Sequence, residues 1–583
     1  MKLRDGITRI SDDSLAFVLF APGKETVHLF GDFTNWQISD DYKMEPDSNR
    51  FWIKIGNLDP NKEYICQYII NRANKPVRIA DPYTNKISSD DDKYIPADIY
   101  PNLSTYPTGR TTNPAMTVST KPDNYAWKVQ KYTVANPANL AIYELLIRDF
   151  TEQRSIKAAQ EKLPYLKALG INAIELMPFS EFEGNDSWGY NPSFYFAPDK
   201  AYGTPNDYKA FIDACHENGM AVIMDMVLNH SYGQSPLARM YMENGVITAD
   251  NPWYNVKSPN STYSWGYDFN HESPYTQAFV DSVCSYWIKE YKIDGYRFDF
   301  TKGFTNKPGD GWAYDESRIK ILKRMADEIW KRKRDALVIL EHLTDNSEEK
   351  VLDNYGMLLW GNINGNTNEA TMGWNESNKS DLSGASYKQR AWEKPNLVAY
   401  MESHDEERLM FKNLKYGNSN GSYNVKDLPT ALQRNAAAAV VFFSIPGPKM
   451  IWQFGELGYD VSIDENGRVG KKPIRWEYYD QPDRRALYDV SSKIINLRTT
   501  RPVFSTTDFS ISLAPNFKYV VLKSAQETVV AMANFDVKEV SKDVNFEKTG
   551  NWQEYFTNST LTTTANTENI TLQPGEFRLY FSK

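Results

Sequence analysis

Short apolar runs, separated by stretches with helical spacing, dominate the middle of the chain. Four of these runs end in an acidic residue, at residues 220–225, 293–299, 336–341 and 397–405. Continuous apolar runs are typical of parallel strands, and the carboxyl ends of such strands form the active site of an α/β barrel. The pattern therefore predicts carboxylates that meet from separate strands and perform acid/base and nucleophilic chemistry on a neutral, polyhydroxylated substrate.

Eight apolar runs alternate with helical segments between residues 140 and 452. The predicted strands are residues 140–147, 171–177, 220–227, 293–299, 336–341, 357–360, 397–401 and 449–452. In the segment 315–334, apolar residues recur every three or four positions, which predicts a helix with Asp315 as its N-cap. Pro164 must start, kink or interrupt the first helix. The alternation predicts a (β/α)8 TIM barrel.

We place the barrel at residues 138–500. The pattern of apolar and polar residues changes on both sides of it. Residues 1–100 contain short β-rich runs between Pro, Gly, Asn and Asp turns, which predicts an N-terminal β-sandwich. Residues 101–137 are rich in Pro, Ser, Thr, Asn and Asp, which predicts a linker or extended wrap. Further short apolar runs predict a C-terminal antiparallel β domain over residues 501–583.

Composition and charge narrow the class of protein. With 583 residues the chain is longer than one hydrophobic core usually sustains, so we expect two to four domains. The net charge is −9 and no Lys/Arg cluster is interleaved with aromatic residues, so nucleic acid is not an expected partner. Cys66, Cys215 and Cys284 show no metal-ligand spacing and predict no disulfide framework.

The sequence as given predicts neither an export signal nor a membrane span. The chain opens on MKLRDGITRISDD, which lacks an apolar segment, and no run of 18 apolar residues occurs. The chain as given is therefore expected to span no membrane and to be cytoplasmic, whereas a secreted or cell-surface protein would need a signal segment outside this sequence. The sequence makes no prediction of the oligomeric state.

The residues around the four acidic positions resemble a known family. The segments DMVLNH (225–230), GYRFDFTKG (295–303), EHLTD (341–345) and ESHD (402–405) are similar to the four ordered signature segments of the α-amylase superfamily of glycoside hydrolases and transglycosidases. The resemblance covers about residues 140–500. It implies an enzyme of the α-amylase or neopullulanase kind that hydrolyses α-1,4-glucosidic bonds in starch, glycogen or malto-oligosaccharides with retention, without an organic cofactor.

Two alternatives stay open. A 4-α-glucanotransferase or another transglycosidase uses the same residues and differs only in whether sugar or water intercepts the covalent intermediate. A non-catalytic glucan-binding protein would have lost the carboxylates of the signature segments, and all of them are present.

The resemblance assigns roles to three carboxylates. Asp299 is the nucleophile, and Glu341 is the general acid and later the base. Asp405 binds the hydroxyls of the sugar that is cleaved. Arg297 lies two residues before Asp299 on the same strand face and favours its ionised form. Glu341 follows an apolar run, where desolvation would hold its proton to higher pH.

Further residues match the family's substrate-binding positions. Tyr190 corresponds to the platform under the reacting sugar, and His230 and His404 are placed to bond sugar hydroxyls. Lys302 would meet sugars on the leaving side. Members that hydrolyse linear α-1,4-glucan commonly carry Lys there, whereas branching enzymes usually have a small or apolar residue. Gly303 departs from the animal and fungal amylases, which have His at this position.

The family's domain B and its calcium site also have counterparts. Residues 231–270 correspond to a short domain B inserted after the third strand. Asn229, Asp268 and the carbonyl of Gly303 match positions that often bind one structural Ca²⁺. Calcium takes six to eight oxygen ligands, of which these residues supply three.

The N-terminal region carries a second resemblance. The segment VHLFGDFTNW (27–36) resembles the glycogen- and starch-binding sandwich modules that precede many barrels of this family. Trp36 or Trp52 would then stack on glucan. The alternative is a core or interdomain role, which the usual burial of Trp favours.

Overall fold

Eight parallel strands close into a barrel at the centre of the computed structural model, which describes residues 4–72 and 75–582. The strands are β1 (Ala141–Leu145), β2 (Ala173–Leu176), β3 (Ala221–Met226), β4 (Gly295–Phe298), β5 (Leu337–Leu340), β6 (Leu358–Asn362), β7 (Leu397–Tyr400) and β8 (Lys449–Trp452). They pair in chain order, and β8 pairs with β1 so that the barrel is closed. The predicted (β/α)8 barrel is confirmed.

The barrel interior changes character along its axis. Side chains alternate between the interior and the surrounding helices, so every second residue of a strand faces inward. Ile142 and Ile223 belong to a buried apolar cluster in the interior. Two residues further along the same strands stand Glu144 and Asp225, both buried. The interior is thus apolar towards the amino ends of the strands and charged at their carboxyl ends, where the predicted site lies.

Helices surround the barrel. They span Ile156–Gln160, Leu163–Leu169, Pro205–Glu217, Pro236–Arg239, Pro274–Tyr291, Glu316–Arg332, Asn346–Tyr355, Asn364–Met372, Leu409–Tyr416, Leu428–Ser444 and Pro482–Thr500. Pro164 lies in the first turn of its helix, where proline leaves no hydrogen bond unmade, and the first helical segment is split there. Asp315 caps the helix Glu316–Arg332 through the backbone N–H groups of Ser317 and Arg318, as predicted.

The N-terminal region is a β-sandwich. One sheet contains Gly6–Arg9, Leu15–Phe20, Glu45–Asp47 and Arg50–Ile55, and the other contains Thr26–Gly31, Tyr64–Arg72, Lys75–Ile79, Ile87–Ser88 and Ala115–Val118. Ala115–Val118 lies inside the segment predicted as a linker, yet it pairs with Tyr64–Arg72. The sandwich therefore extends past residue 100. A strand of four residues within a Pro-rich segment is too short to stand out in the sequence pattern.

Aromatic side chains join the sandwich to the rest of the molecule. Phe20 packs edge-on against Trp253 with ring centroids 5.8 Å apart. Tyr83 lies 5.1 Å from Phe196, centroid to centroid. Trp36 is 7% exposed and belongs to the sandwich core, so its indole is not available to a glucan. These contacts make the sandwich part of the folded body of the protein.

The remaining strands lie in loops and at the C-terminus. Paired segments outside the barrel are Ser180–Phe182 with Pro192–Pro198, His230–Ser231 with Tyr267–Asp268, Met242–Glu243 with Val246–Ile247, and Ser419–Asn420 with Tyr423–Asn424. The C-terminal strands are Phe509–Ser512, Phe517–Lys523, Thr528–Asn534, Val540–Asn545, Gly550–Glu554, Thr560–Thr563, Thr567–Leu572 and Phe577–Ser582. They form a six-stranded and a two-stranded antiparallel sheet, as the sequence predicts. Across the described residues, we find no helix with the length and apolarity that a membrane crossing requires.

Candidate active site

A buried arginine organises the carboxyl end of the barrel. Nη1 of Arg297 lies 2.8 and 2.9 Å from the two carboxylate oxygens of Asp225. The same nitrogen donates to Oδ1 of Asp299 at 3.1 Å, and Nη2 donates to Oε2 of Glu341 at 2.8 Å. A planar guanidinium with several donors can hold several carboxylates at once. Arg297 therefore brings the two predicted catalytic carboxylates together across β4 and β5.

The two carboxylates differ in their affinity for protons. Burial raises the pKa of Glu341 to about 7, although Arg297 opposes the shift. Burial also raises the pKa of Asp299, to about 6, and Arg297 again opposes it. Oε2 of Glu341 additionally accepts the backbone N–H of Phe300 at 3.0 Å. Between these two values Asp299 is ionised while Glu341 holds a proton, which is the division that a nucleophile and an acid require.

Tyr190 lies over this cluster. Its hydroxyl donates to Oδ2 of Asp225 at 2.7 Å, and its ring lies 5.1 Å from the ring of His404 at an angle of 27°. The carbonyl of Tyr190 lies 2.9 Å from Nε2 of His230. Burial lowers the pKa of His230 to about 4, so the imidazole is neutral. In this arrangement His230 supports the Tyr190 loop with its Nε2–H group.

His404 is the charged histidine of the site. Its Nδ1 lies 2.6 Å from Oε1 of Glu144, and its backbone N–H donates to Oε2 of the same residue at 3.0 Å. Burial lowers the pKa of His404, but the carboxylates of Glu144 and Asp405 raise it, and the pKa rises to about 9. The imidazolium is thus fixed by Glu144 of β1.

Asp405 stands at the mouth of the site with 49% of its side chain exposed. Its Oδ1 accepts a hydrogen bond from Nη2 of Arg468 at 2.6 Å. Burial opposes ionisation, but His404 and Arg468 together hold the pKa of Asp405 below its usual range. The loop that carries Arg468 is held by Nζ of Lys472, which donates to several of its carbonyl oxygens. Asp405 is therefore ionised and accessible.

Lys302 and Gly303 lie on the side of Glu341. Lys302 is 7% exposed, and its Nζ lies 3.9 Å from the ring centroid of Trp312. Gly303 is crowded, since a Cβ built on it would approach Oδ1 of Asn229 to 2.0 Å. The absence of the histidine that animal and fungal amylases carry at this position thus has a steric reason in this chain.

The predicted calcium ligands differ in whether their oxygens already accept hydrogen bonds. Oδ1 of Asn229 is buried without a hydrogen-bond partner among the described residues. Both oxygens of Asp268, however, already accept hydrogen bonds, from Asn255 at 2.8 Å and Ser258 at 2.9 Å. No group of three or more His, Cys, Asp or Glu suited to a metal occurs in residues 4–72 and 75–582. The predicted residues supply three of the six to eight oxygens that calcium takes, and a calcium ion at this position stays a prediction.

Glu144, Glu175 and Arg468 were not predicted as site residues. Glu144 and Glu175 are direct neighbours in the β1–β2 register, and Glu175 is fully buried with neither oxygen bonded to a partner among the described residues. An acidic residue inside two successive apolar runs was the available signal. Arg468 lies in an irregular loop and gave none.

Comparison with known proteins agrees with this geometry. The alpha amylase catalytic domain family matches residues 155–264. A malto-oligosyltrehalose trehalohydrolase of Deinococcus radiodurans is 34% identical over 192 residues, which are 33% of this chain and 29% of the relative. Its counterpart in Saccharolobus solfataricus is 27% identical over 59% of this chain and 52% of the relative. The chain thus spans about half or less of the length of these relatives, 29% and 52%.

Two further matches cover more of the chain. A 1,4-alpha-glucan branching enzyme of Photobacterium profundum is 23% identical over 89% of this chain and 70% of the relative. A maltose complex of pullulanase type I from Bacillus subtilis has the same fold, with a TM-score of 0.77 and 17% identity over 100% of this chain and 86% of that one. The family match, the relatives and the fold agree with one another: the chain is similar to proteins of the α-amylase superfamily of glycoside hydrolases and transglycosidases.

Proposed function

We propose that this protein hydrolyses α-1,4-glucosidic bonds of starch, glycogen or malto-oligosaccharides with retention of the anomeric configuration. The observation that carries the proposal is the shared hydrogen bonding of Asp299 and Glu341 to Arg297, at 3.1 and 2.8 Å. A retaining mechanism needs its two carboxylates close together, and one guanidinium between them meets that need.

The first step is the formation of a covalent intermediate. The ionised carboxylate of Asp299 attacks the anomeric carbon while Glu341 gives its proton to the leaving oxygen. The glycosidic bond breaks and an ester bond to Asp299 forms. Glu341, now ionised, then takes a proton from water, whose oxygen attacks the anomeric carbon and releases Asp299. Burial of Glu341, which raises its pKa to about 7, supports both roles.

A second group of residues would hold the sugar whose anomeric carbon reacts. We propose that Asp405 and His404 bond its hydroxyls and that Tyr190 supports its apolar face. The ionised, half-exposed carboxylate of Asp405 and the cationic His404 support this assignment, since charged partners make the stronger hydrogen bonds. No step of this mechanism requires an organic cofactor or a metal.

Transglycosylation is the second candidate. Branching enzymes match the chain over 89% of its length in the example above, which favours transfer to sugar. Lys302 favours hydrolysis, because the resemblance associates Lys at this position with hydrolases. The two reactions share every step up to the covalent intermediate.

Product analysis tests the proposal. The enzyme is incubated with soluble starch, pullulan, cyclodextrin and maltotriose, and the products are separated by thin-layer chromatography. We expect shorter α-1,4-oligosaccharides, whose new reducing ends appear first as the α-anomer in proton NMR. Products longer than the substrate would favour the transglycosidase, and β-anomers formed first would refute the retaining mechanism.

A further inference from the structure

A fully buried ion pair involves the helix that follows the proposed acid. The side chains of Arg318 and Glu348 are 1% and 0% exposed, and two hydrogen bonds of 2.7 Å join them. We propose that Glu348 is a positioning residue: with its partners it fixes the turn of residues 300–303, and that turn holds Glu341. The proposal rests on the proposed function, because it assumes that Glu341 protonates the leaving oxygen.

The turn of residues 300–303 holds Glu341 at two points. The backbone N–H of Thr301 donates to the carbonyl of Glu341 at 3.0 Å, and that of Phe300 donates to Oε2 of Glu341 at 3.0 Å. Phe300 has a φ of 46°, in the left-handed region that a bulky residue rarely adopts. Strained backbone persists only where the surrounding structure over-determines it. The turn therefore needs support from its surroundings to keep the carboxylate of Glu341 in place.

Glu348 supports the turn from two directions. Its Oε1 lies 2.8 Å from Nε2 of His342, whose Nδ1 lies 2.9 Å from the hydroxyl oxygen of Thr301. Arg318, which donates to both oxygens of Glu348, also donates to the carbonyl of Lys302 at 2.7 Å. Two successive residues of the turn are thus held by groups that meet at one carboxylate.

The charge of Glu348 sets the direction of these hydrogen bonds. Burial raises the pKa of Glu348, but His342 and Arg318 outweigh burial and hold that pKa below its ordinary value. An ionised carboxylate only accepts hydrogen bonds, so Nε2 of His342 carries a proton and donates it to this bond. Burial lowers the pKa of His342, so the ring is neutral and its Nδ1 accepts the hydroxyl proton of Thr301.

Stability alone does not explain why this ion pair is buried. Taking two charges out of water costs free energy that their attraction often fails to repay, and apolar residues of similar volume can stabilise a core equally well. The pair instead provides directed hydrogen bonds, and Oε2 of Glu348 also accepts the backbone N–H of Asp315 at 2.8 Å. Fixed geometry is what a general acid needs, since it must lie within hydrogen-bond reach of the leaving oxygen.

Two substrates with different leaving groups test the positioning role. Cleavage of maltotriose needs the proton of Glu341, whereas fluoride leaves α-maltosyl fluoride with little help from an acid. We expect Glu348→Gln to lower kcat/KM for maltotriose at least about tenfold more than for α-maltosyl fluoride, because a misplaced acid slows only the reaction that needs it. Thr301→Val leaves the ion pair intact and removes the hydroxyl that contacts His342, so it should shift the ratio in the same direction, by about threefold or more.

Glu554→Gln is the matched control. Glu554 is a buried carboxylate of the C-terminal domain, and it accepts the backbone N–H groups of Leu579 at 3.0 Å and Thr557 at 2.6 Å. This variant should lower Tm while leaving the ratio of the two kcat/KM values as in the parent. Equal losses on both substrates in Glu348→Gln and Thr301→Val would show a purely structural role and overturn the proposal.

Crystallography separates failure of this proposal from failure of the proposed function. In Glu348→Gln, or in Thr301→Val if the first variant does not fold, we expect loss of the 3.0 Å hydrogen bond between Phe300 and Glu341. If the parent cleaves neither substrate but this bond is lost, the positioning role stands and the proposed function fails. If the parent cleaves both substrates and the bond is unchanged, the positioning role alone is overturned. No cleavage together with an unchanged bond would refute both.

Discussion

The two sides of the candidate active site differ in chemistry, since one is ionic and the other is aromatic. On one side, His404, Asp405 and Arg468 are ionic groups fixed by hydrogen bonds of 2.6 Å. On the other side, Tyr263, Trp265 and Trp312 present rings around a single ammonium group. Ionic hydrogen bonds demand fixed geometry, whereas ring faces tolerate different sugars in different registers. Under the proposed function, this difference predicts strict recognition of the sugar whose bond is cleaved and tolerant binding of the sugar on the other side of that bond.

Removal of the reacting groups should have the largest effect. We expect Asp299→Asn and Glu341→Gln each to lower kcat on soluble starch by at least about a thousandfold, because each substitution removes a covalent or proton-transfer role. A reducing-sugar assay measures the loss, and circular dichroism checks that the fold is intact. Activity above about a tenth of the parent's in either variant would show that the carboxylates have been misassigned.

The charge of His404 can be weakened by a substitution at its buried partner Glu144. Glu144→Gln keeps the shape of the residue but removes the charge that raises the pKa of His404 to about 9. We expect kcat/KM on maltotriose to fall about tenfold or more, with a new loss of activity at neutral and alkaline pH as His404 becomes neutral. An unchanged pH profile would mean that the charge on His404 is not needed.

The pH dependence of the parent enzyme should be bell-shaped. Asp299, with a pKa of about 6, must be ionised, and Glu341, with a pKa of about 7, must be protonated. Activity on maltotriose should therefore peak between pH 6 and 7, falling about tenfold per unit at lower pH as Asp299 gains a proton and at higher pH as Glu341 loses its own. A profile that stays flat up to pH 9 would contradict the role of Glu341.

Two aromatic residues of the N-terminal sandwich test whether that module stabilises the protein or binds glucan. Phe20 packs on Trp253 between the sandwich and the rest of the molecule, whereas Trp52 is a half-buried residue of the sandwich. We expect Phe20→Ala to lower Tm by about 2–4 °C and Trp52→Ala to leave starch pull-down unchanged. Loss of starch binding in Trp52→Ala with an unchanged Tm would instead favour a glucan-binding sandwich.

Metal removal should have the smallest effect. Both oxygens of Asp268 accept hydrogen bonds from Asn255 and Ser258, so this carboxylate has partners without an ion. We expect EDTA to change Tm by less than about 1 °C, since no binding energy would be lost. A Tm that falls with EDTA and recovers with added Ca²⁺ would show that calcium replaces these hydrogen bonds.

The barrel was predictable because its strands carry a strong local signal. Apolar runs buried on both faces mark β3 and β4 regardless of their neighbours. The strand Ala115–Val118 was missed, because four residues in a Pro-rich segment owe their conformation to pairing with Tyr64–Arg72. Trp36 could be placed in the core from the general burial of Trp, and the structure agrees.

The sequence by itself determined the fold and the order of the candidate carboxylates, because apolar periodicity and short motifs are local properties of the chain. Only the tertiary structure decided which charges meet. Glu144 and His404 are 260 positions apart in the chain, and Asp405 and Arg468 are 63 apart. In each pair, however, a side-chain nitrogen lies 2.6 Å from a carboxylate oxygen. Barrel closure and loop packing set these distances, and with them the burial that shifts each pKa.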